Sequence, residues 1–197
     1  MISYKHDIDI FITAGGKSSR MGRDKGMMMI LGKPMLYYLT DMLAEDNYPF
    51  TVIANSDEYK NSNFKVVPDI ICEKGPMGAL HTAFHYTKKD FVLLLGCDSP
   101  FFPAKAVNRL LANAKRKSVA VAQVGATIQP LHAVYPVSIQ DKVADHIAEN
   151  KLKMQKLILQ STHHFVNMDD LVQEFPASLT NINEPKDIAE IESQQKE

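Results

Sequence analysis

Cysteine is scarce in this chain of 197 residues, and its two examples, Cys72 and Cys97, form no short-spaced pair. A disulfide framework and a zinc knuckle are therefore not indicated, and a reducing cytoplasm fits this usage. Net charge is also lacking: 22 Lys and Arg stand against 23 Asp and Glu, for a formal charge of −1. Nothing here suggests a wholesale binder of nucleic acid or of a membrane surface. No apolar run approaches the roughly 20 residues that span a bilayer. The opening Met-Ile-Ser-Tyr-Lys-His-Asp has no apolar segment of signal-peptide length. Internal repeats and low-complexity stretches are missing too. Apolar residues make up 45% of the chain, enough for a core, and the length fits one domain over residues 1–197.

The common nucleotide and metal motifs are absent as well. A Walker loop needs a glycine five positions before Gly16-Lys17-Ser18, and Phe11 stands there. No Gly-x-Gly-x-x-Gly fingerprint occurs in this region. His81 and His85 are four apart on an expected helix, but Thr82 follows the first where a zinc protease carries Glu. They read as ordinary helix residues, and Met27, Met28 and Met29 as apolar filling near the first loop.

What is present begins with a loop. Thr13-Ala14-Gly15-Gly16-Lys17-Ser18-Ser19-Arg20-Met21-Gly22-Arg23-Asp24-Lys25-Gly26 follows the apolar run Ile8–Ile12. Adjacent glycines let main-chain amides approach a ligand with no Cβ in the way. Lys17, Arg20, Arg23 and Lys25 follow at once. Open amides and clustered cations after a strand suit a polyphosphate, so a nucleotide is the first ligand to consider.

Apolar runs at Ile8–Ile12, Phe50–Ala54, Phe64–Val67, Phe91–Leu95, Val119–Ala122 and His132–Tyr135 predict strands. Helices are expected over Met35–Ala44, Ala79–Tyr86, Lys105–Lys115 and from Pro185 through Ile191. This alternation argues for an α/β fold, three-layered and Rossmann-like, with a mostly parallel central sheet. Val92-Leu93-Leu94-Leu95 reads as a strand covered on both faces. Such sheets bind ligands at the carboxyl ends of their strands. Asp98 falls at that edge, in Gly96-Cys97-Asp98-Ser99-Pro100. A lone carboxylate there suits a magnesium–nucleotide complex, since Mg²⁺ takes one or two protein carboxylates and keeps several waters. A cap for the helix starting near Pro103 is the alternative reading.

Together these residues resemble the molybdenum cofactor guanylyltransferases, within a wider nucleotidyltransferase superfamily. The resemblance rests on Ala14-Gly15-Gly16-Lys17-Ser18-Ser19-Arg20-Met21-Gly22 with Asp24-Lys25, and on Cys97-Asp98-Ser99-Pro100. Thr13 departs from the Leu usual in the family. The segments Gly75-Pro76-Met77-Gly78 and Asn181-Ile182-Asn183-Glu184-Pro185 are also similar to family segments, as is Gln129-Pro130-Leu131-His132, for which a structural role is expected.

The resemblance implies GMP transfer from GTP to molybdenum-molybdopterin, with Mg²⁺ as cofactor. It implies catalytic roles for Lys25, Arg20 and Asp98, with Asp98 as metal ligand. It places nucleotide at Thr13, Ala14, Gly15, Gly16, Lys25, Asn55, Asp69 and Asp98, and the acceptor substrate at Gly22, Gly78, Asn181 and Asn183. Alternation expects Asn181 and Asn183 on one face of a short strand. The nucleotide would occupy the half around residues 1–100 and the acceptor the half around 101–192. Molybdoenzymes or their chaperones are the implied further partners. Relatives that use CTP tend to carry Ala at the position of Gly15, which suggests that its missing methyl makes room for a purine. The rival readings are a CTP- or sugar-phosphate-specific transferase, and a non-catalytic nucleotide-binding partner of molybdoenzymes.

Overall fold

The computed structural model describes residues 7–15 and 24–194. In chain order the elements are β1 (Ile8–Thr13), β2 (Met29–Ile30), β3 (Lys33–Pro34), α1 (Met35–Glu45), β4 (Phe50–Ile53), β5 (Val66–Val67), α2 (Gly75–Tyr86) and β6 (Phe91–Gly96). Then follow α3 (Ala104–Ala112), β7 (Val119–Val124), β8 (Thr127–Pro136), α4 (Gln140–Ala148), α5 (Met154–Leu159), β9 (His163–Asn167), α6 (Asp169–Glu174) and α7 (Pro185–Gln194).

Seven strands form one sheet in the order β5-β4-β1-β6-β8-β7-β9, and β2 and β3 form a small hairpin apart from it. β1 pairs in parallel with β4 on one side and β6 on the other, while β8 runs antiparallel to both β6 and β7. Every residue of β6 is buried, as its unbroken apolar run predicts for a strand covered on both faces. Its side chains alternate between two cores. Phe91, Leu93 and Leu95 pack with Leu36, Leu39, Leu43, Val107 and Leu110 from α1 and α3. Val92 and Leu94 pack with Leu80, Ala83, Val143, Ile147 and Leu157 from α2, α4 and α5. The result is the three-layered α/β arrangement expected from the sequence.

Several boundaries differ. The run Phe64–Val67 pairs only over Val66–Val67, α2 starts four residues before Ala79, and α3 ends at Ala112. Gly75-Pro76 forms the first turn of α2, where a missing proline N–H has no helical partner to lose. Asn181–Asn183 is not a strand. It is a connection without regular structure, tied to the end of β6 by the Ile182 amide, which donates to the Asp98 carbonyl at 2.8 Å. No helix among the described residues is long and apolar enough to cross a membrane.

Candidate active site

Reversal of strand order occurs at β1, with β4 and β6 on either side, and ligands of such sheets lie at that point beyond the carboxyl ends. A cleft of about 630 Å³ opens there. Thr13, Ala14 and Gly15 line it after β1, Asn55 and Ser56 after β4, and Asp69 after β5; Gly75 and Pro76 close it from α2. Gly15 has φ +115°, a backbone conformation that side chains disfavour, so glycine is needed there whatever base is bound. That backbone requirement stands apart from the expectation that a missing methyl makes room for a purine.

Asn55 and Asp69 hold each other. The Asn55 amide nitrogen donates to Asp69 Oδ2 at 3.0 Å, and the Asp69 amide donates to Asn55 Oδ1 at 2.9 Å. Asp69 Oδ1 is buried without a partner. Burial pushes the Asp69 carboxyl above the ordinary range, against the hydrogen bond from Asn55. An acceptor left unsatisfied beside an open cleft fits a ligand donor, whose bond would offset the cost of that burial.

A second corner lies beyond β6. Lys25, in a short 3-10 turn over Lys25–Met27, donates from Nζ to Asn183 Oδ1 at 2.7 Å and stands 3.6 Å from Asp98 Oδ2. The lysine and aspartate side chains are 17% and 22% exposed, so both remain reachable. Gly96 leaves the space that the Asp98 carboxylate uses, since a Cβ there would stand 2.6 Å from Oδ1. Ser99 Oγ donates to Asn181 Oδ1 at 2.8 Å. The residue before α3 is Pro103, with no side-chain cap, so Asp98 does not cap that helix. Neither do the two asparagine side chains cap α7; the Asp187 carboxylate accepts from the Asn183 and Glu184 amides instead.

Behind this corner Cys97 is buried, and desolvation, helped by the charge of Asp98, pushes its thiol up to about 12. It is no nucleophile at neutral pH. His132 is 1% exposed, its ring 4.4 Å from that of Phe102, and its Nε2 has no partner. Burial lowers its pKa to about 4, against the pull of Asp98, so the ring is neutral.

The structure thus brings Thr13, Ala14, Gly15, Asn55 and Asp69 to one cleft, and Lys25, Asp98, Asn181 and Asn183 to one corner. Gly78 is placed differently: it is buried in α2, where a Cβ would meet the Ile71 carbonyl at 2.9 Å. Gly75 and Pro76 are the residues of that segment that line the cleft. Gly16, Arg20 and Gly22 lie outside the described residues. Sequence reasoning passed over Asp24, which lines the cleft and bonds to Tyr59. Its place directly before Lys25 was the only signal for it.

Residues 10–165 match the MobA-like NTP transferase domain. The chain belongs to this family. It is a nucleotidyltransferase by that membership, with the α/β architecture that the sequence pattern predicted. A molybdenum cofactor guanylyltransferase from Yersinia pestis is 31% identical over 181 residues, covering 89% of this chain and 90% of that relative. A probable molybdenum cofactor guanylyltransferase from Flavobacterium johnsoniae is 28% identical over 182 residues, covering 92% and 94%. Among solved structures, molybdopterin-guanine dinucleotide biosynthesis protein A from Archaeoglobus fulgidus superposes with a TM-score of 0.78 at 17% identity, covering 95% of this chain and 98% of that one. A 2-C-methyl-D-erythritol 4-phosphate cytidylyltransferase from Thermus thermophilus gives a TM-score of 0.68 at 14% identity, covering 97% and 100%.

Proposed function

We propose that this enzyme transfers GMP from GTP to molybdenum-molybdopterin, forming the guanine dinucleotide cofactor and releasing pyrophosphate. The arrangement that carries the reading is Lys25 between Asp98 and Asn183, beside a nucleotide-sized cleft. The full-length guanylyltransferase relatives supply the substrates. The acceptor is a phosphate monoester, whose second pKa is about 6, so it is largely dianionic at neutral pH. It needs no protein base to attack the α-phosphorus of GTP. The barrier is the approach of one anion to another, and the protein's task is to position both and offset their charge.

Thr13, Ala14, Gly15, Asn55 and Asp69 would receive the nucleoside, with Gly16 completing the open backbone. Lys25 and Arg20 would neutralise phosphate oxygens. Asn181 and Asn183 would face the acceptor, to which the family resemblance also assigns Gly22 and Gly78. On binding, Asn183 gives up the Lys25 ammonium to a phosphate oxygen. That exchange trades a neutral acceptor for a charged one and so favours the complex.

The donor set suits magnesium. One carboxylate, Asp98, stands in space cleared by Gly96, with a cation beside it, and it remains partly exposed. Mg²⁺ held there would draw charge from the triphosphate and polarise the α-phosphorus. The later half of the chain contributes Asn181 and Asn183 and is assigned to the acceptor; molybdoenzymes or their chaperones would take the product.

A nucleotide panel with Mg²⁺, read by thermal shift and by pyrophosphate release, tests this. A ligand that binds the folded state raises stability by RT ln(1 + [L]/Kd). GTP should shift the midpoint most, and pyrophosphate should appear only when molybdopterin is added. Preference for CTP would favour the cytidylyl reading instead, and silence with every nucleotide would favour a non-catalytic partner.

A further inference from the structure

Lys25 is anchored at two ends. Its ammonium rests on Asn183, and its main chain is fixed by the residue before it. Asp24 Oδ1 accepts from the Gly26 amide at 3.0 Å, which caps the turn bearing Lys25. The same oxygen accepts a hydrogen bond from the Tyr59 hydroxyl. A second link runs alongside, from the Asp24 amide to Glu58 Oε1 at 3.3 Å, and Ser56 Oγ donates to that oxygen at 3.4 Å. Tyr59 is 2% exposed and packs with the core beneath α1. Its hydroxyl is thus a fixed point in the rigid body of the protein. Burial, reinforced by Asp24, raises the phenol's pKa, so the hydroxyl stays a donor throughout the working pH range.

Gly26 completes the lock. A Cβ there would stand 2.6 Å from the Tyr59 hydroxyl oxygen and 3.4 Å from Ala14 Cβ and Leu36 Cβ. The turn therefore approaches Tyr59 as closely as it does because residue 26 has no side chain. Asp24 also lines the nucleotide cleft, where a free carboxylate would repel a triphosphate. Its bonds to Tyr59 and to Gly26 give that acid a reason to be there.

We infer that Tyr59 is a positioning residue for Lys25, acting through the Asp24 carboxylate to set where the ammonium meets the phosphates. This rests on Lys25 contacting the triphosphate, as proposed above. The Ser56–Tyr59 segment follows Asn55 directly, so the lock also joins the nucleoside end of the cleft to its phosphate end. A nucleotide seated on Asn55 then meets Lys25 at a fixed separation.

The test combines Tyr59→Phe and Asp24→Ala, each alone and in a Lys25→Ala background. The measurements are kcat and KM for GTP, the unfolding midpoint, and hydrogen exchange of a peptide spanning residues 24–28. Tyr59→Phe should lower kcat/KM by about tenfold or more, as misplacement of a catalytic group does, and should speed exchange in that peptide. Once Lys25 is alanine, the same substitution should cost nothing further. An equal loss in both backgrounds, or no loss in either, overturns the inference. If Tyr59→Phe does not fold, Asp24→Ala, which removes the oxygen that Tyr59 and Gly26 share, must give the same background-dependent loss. If the unaltered enzyme ignores GTP while exchange still rises in Tyr59→Phe, the lock stands but the assignment of GTP fails, and the positioning role falls with it.

Discussion

The two ends of the sheet handle charge in opposite ways. At the amino ends of the strands, charged groups neutralise one another. Lys89 Nζ sits 2.9 Å from Asp9 Oδ1, Thr87 Oγ1 donates to Asp9 Oδ2 at 2.7 Å, and Arg116 lies 3.5 Å from Asp90. A hollow of about 310 Å³ has Asp90 and Arg116 in its lining. At the carboxyl ends, polar groups rest largely on neutral amides: Lys25 on Asn183, Ser99 on Asn181, and Asp69 on Asn55. The opposite charges Lys25 and Asp98 stand at 3.6 Å, longer than a close charge-assisted hydrogen bond. Amide partners exchange readily for a charged ligand, whereas tight ion pairs resist exchange. The carboxyl end is thus prepared for an incoming anion, and the amino end is already satisfied.

The harshest way to break this contrast is Asp98→Ala. It should cut turnover at least about a hundredfold, or roughly 2.7 kcal/mol of barrier, with the fold intact by circular dichroism. Near-full activity would remove Asp98 from the mechanism. Lys25→Ala should follow, with kcat/KM falling by about tenfold or more through weaker GTP binding and slower transfer together. Steady-state kinetics with GTP as the varied substrate would show both effects, and unchanged kinetics would argue against a phosphate contact.

Below these lies a pH effect on stability. Burial holds His132 near pKa 4 in the folded state, against an ordinary value of 6.5. Between those values the unfolded chain binds the extra proton and the native state does not. Stability therefore rises with pH across this window and is flat above it, with His132 contributing up to about 1.4 kcal/mol per pH unit. His81 and His164, also lowered mainly by burial, act in the same direction. His132→Phe should flatten the slope in urea titrations of the metal-free protein. A slope as steep as before would show that His132 is not the group responsible.

Much of this site was legible because its signals are local. Asp98 follows a run that is buried along its whole length, and strand-end geometry alone put it at the rim. Lys25 sits in a dense cluster of glycines and cations. The pairing of Asp24 with Tyr59 was not legible, because it joins positions 35 apart and no periodicity reports such a contact. Asn181 and Asn183 were expected on a strand; the chain reaches the same corner through a single main-chain bond from Ile182 to Asp98. α5 and α6 were missed because each is only six residues long, too short to repeat an amphipathic pattern. β9 was missed because its polar His163, His164 and Asn167 interrupt the apolar run. Gly78 has a packing requirement that its sequence context did not reveal, since a Cβ there would meet the Ile71 carbonyl at 2.9 Å.

The smallest expected effect sharpens the comparison from the other end. Arg116 and Asp90 are 82% and 63% exposed, and their 3.5 Å separation is bathed in solvent. Exposed pairs of this kind contribute less than about 1 kcal/mol because water screens the attraction and ordering the side chains opposes it. Arg116→Ala should therefore move the urea midpoint only slightly and leave kcat/KM for GTP unchanged. The small stability change should fade further in high salt, where the Debye length shrinks to about 3 Å at 1 M. A substantial loss of turnover from Arg116→Ala would mean that the two ends of the sheet are coupled, and that the amino-end charges do more than cancel.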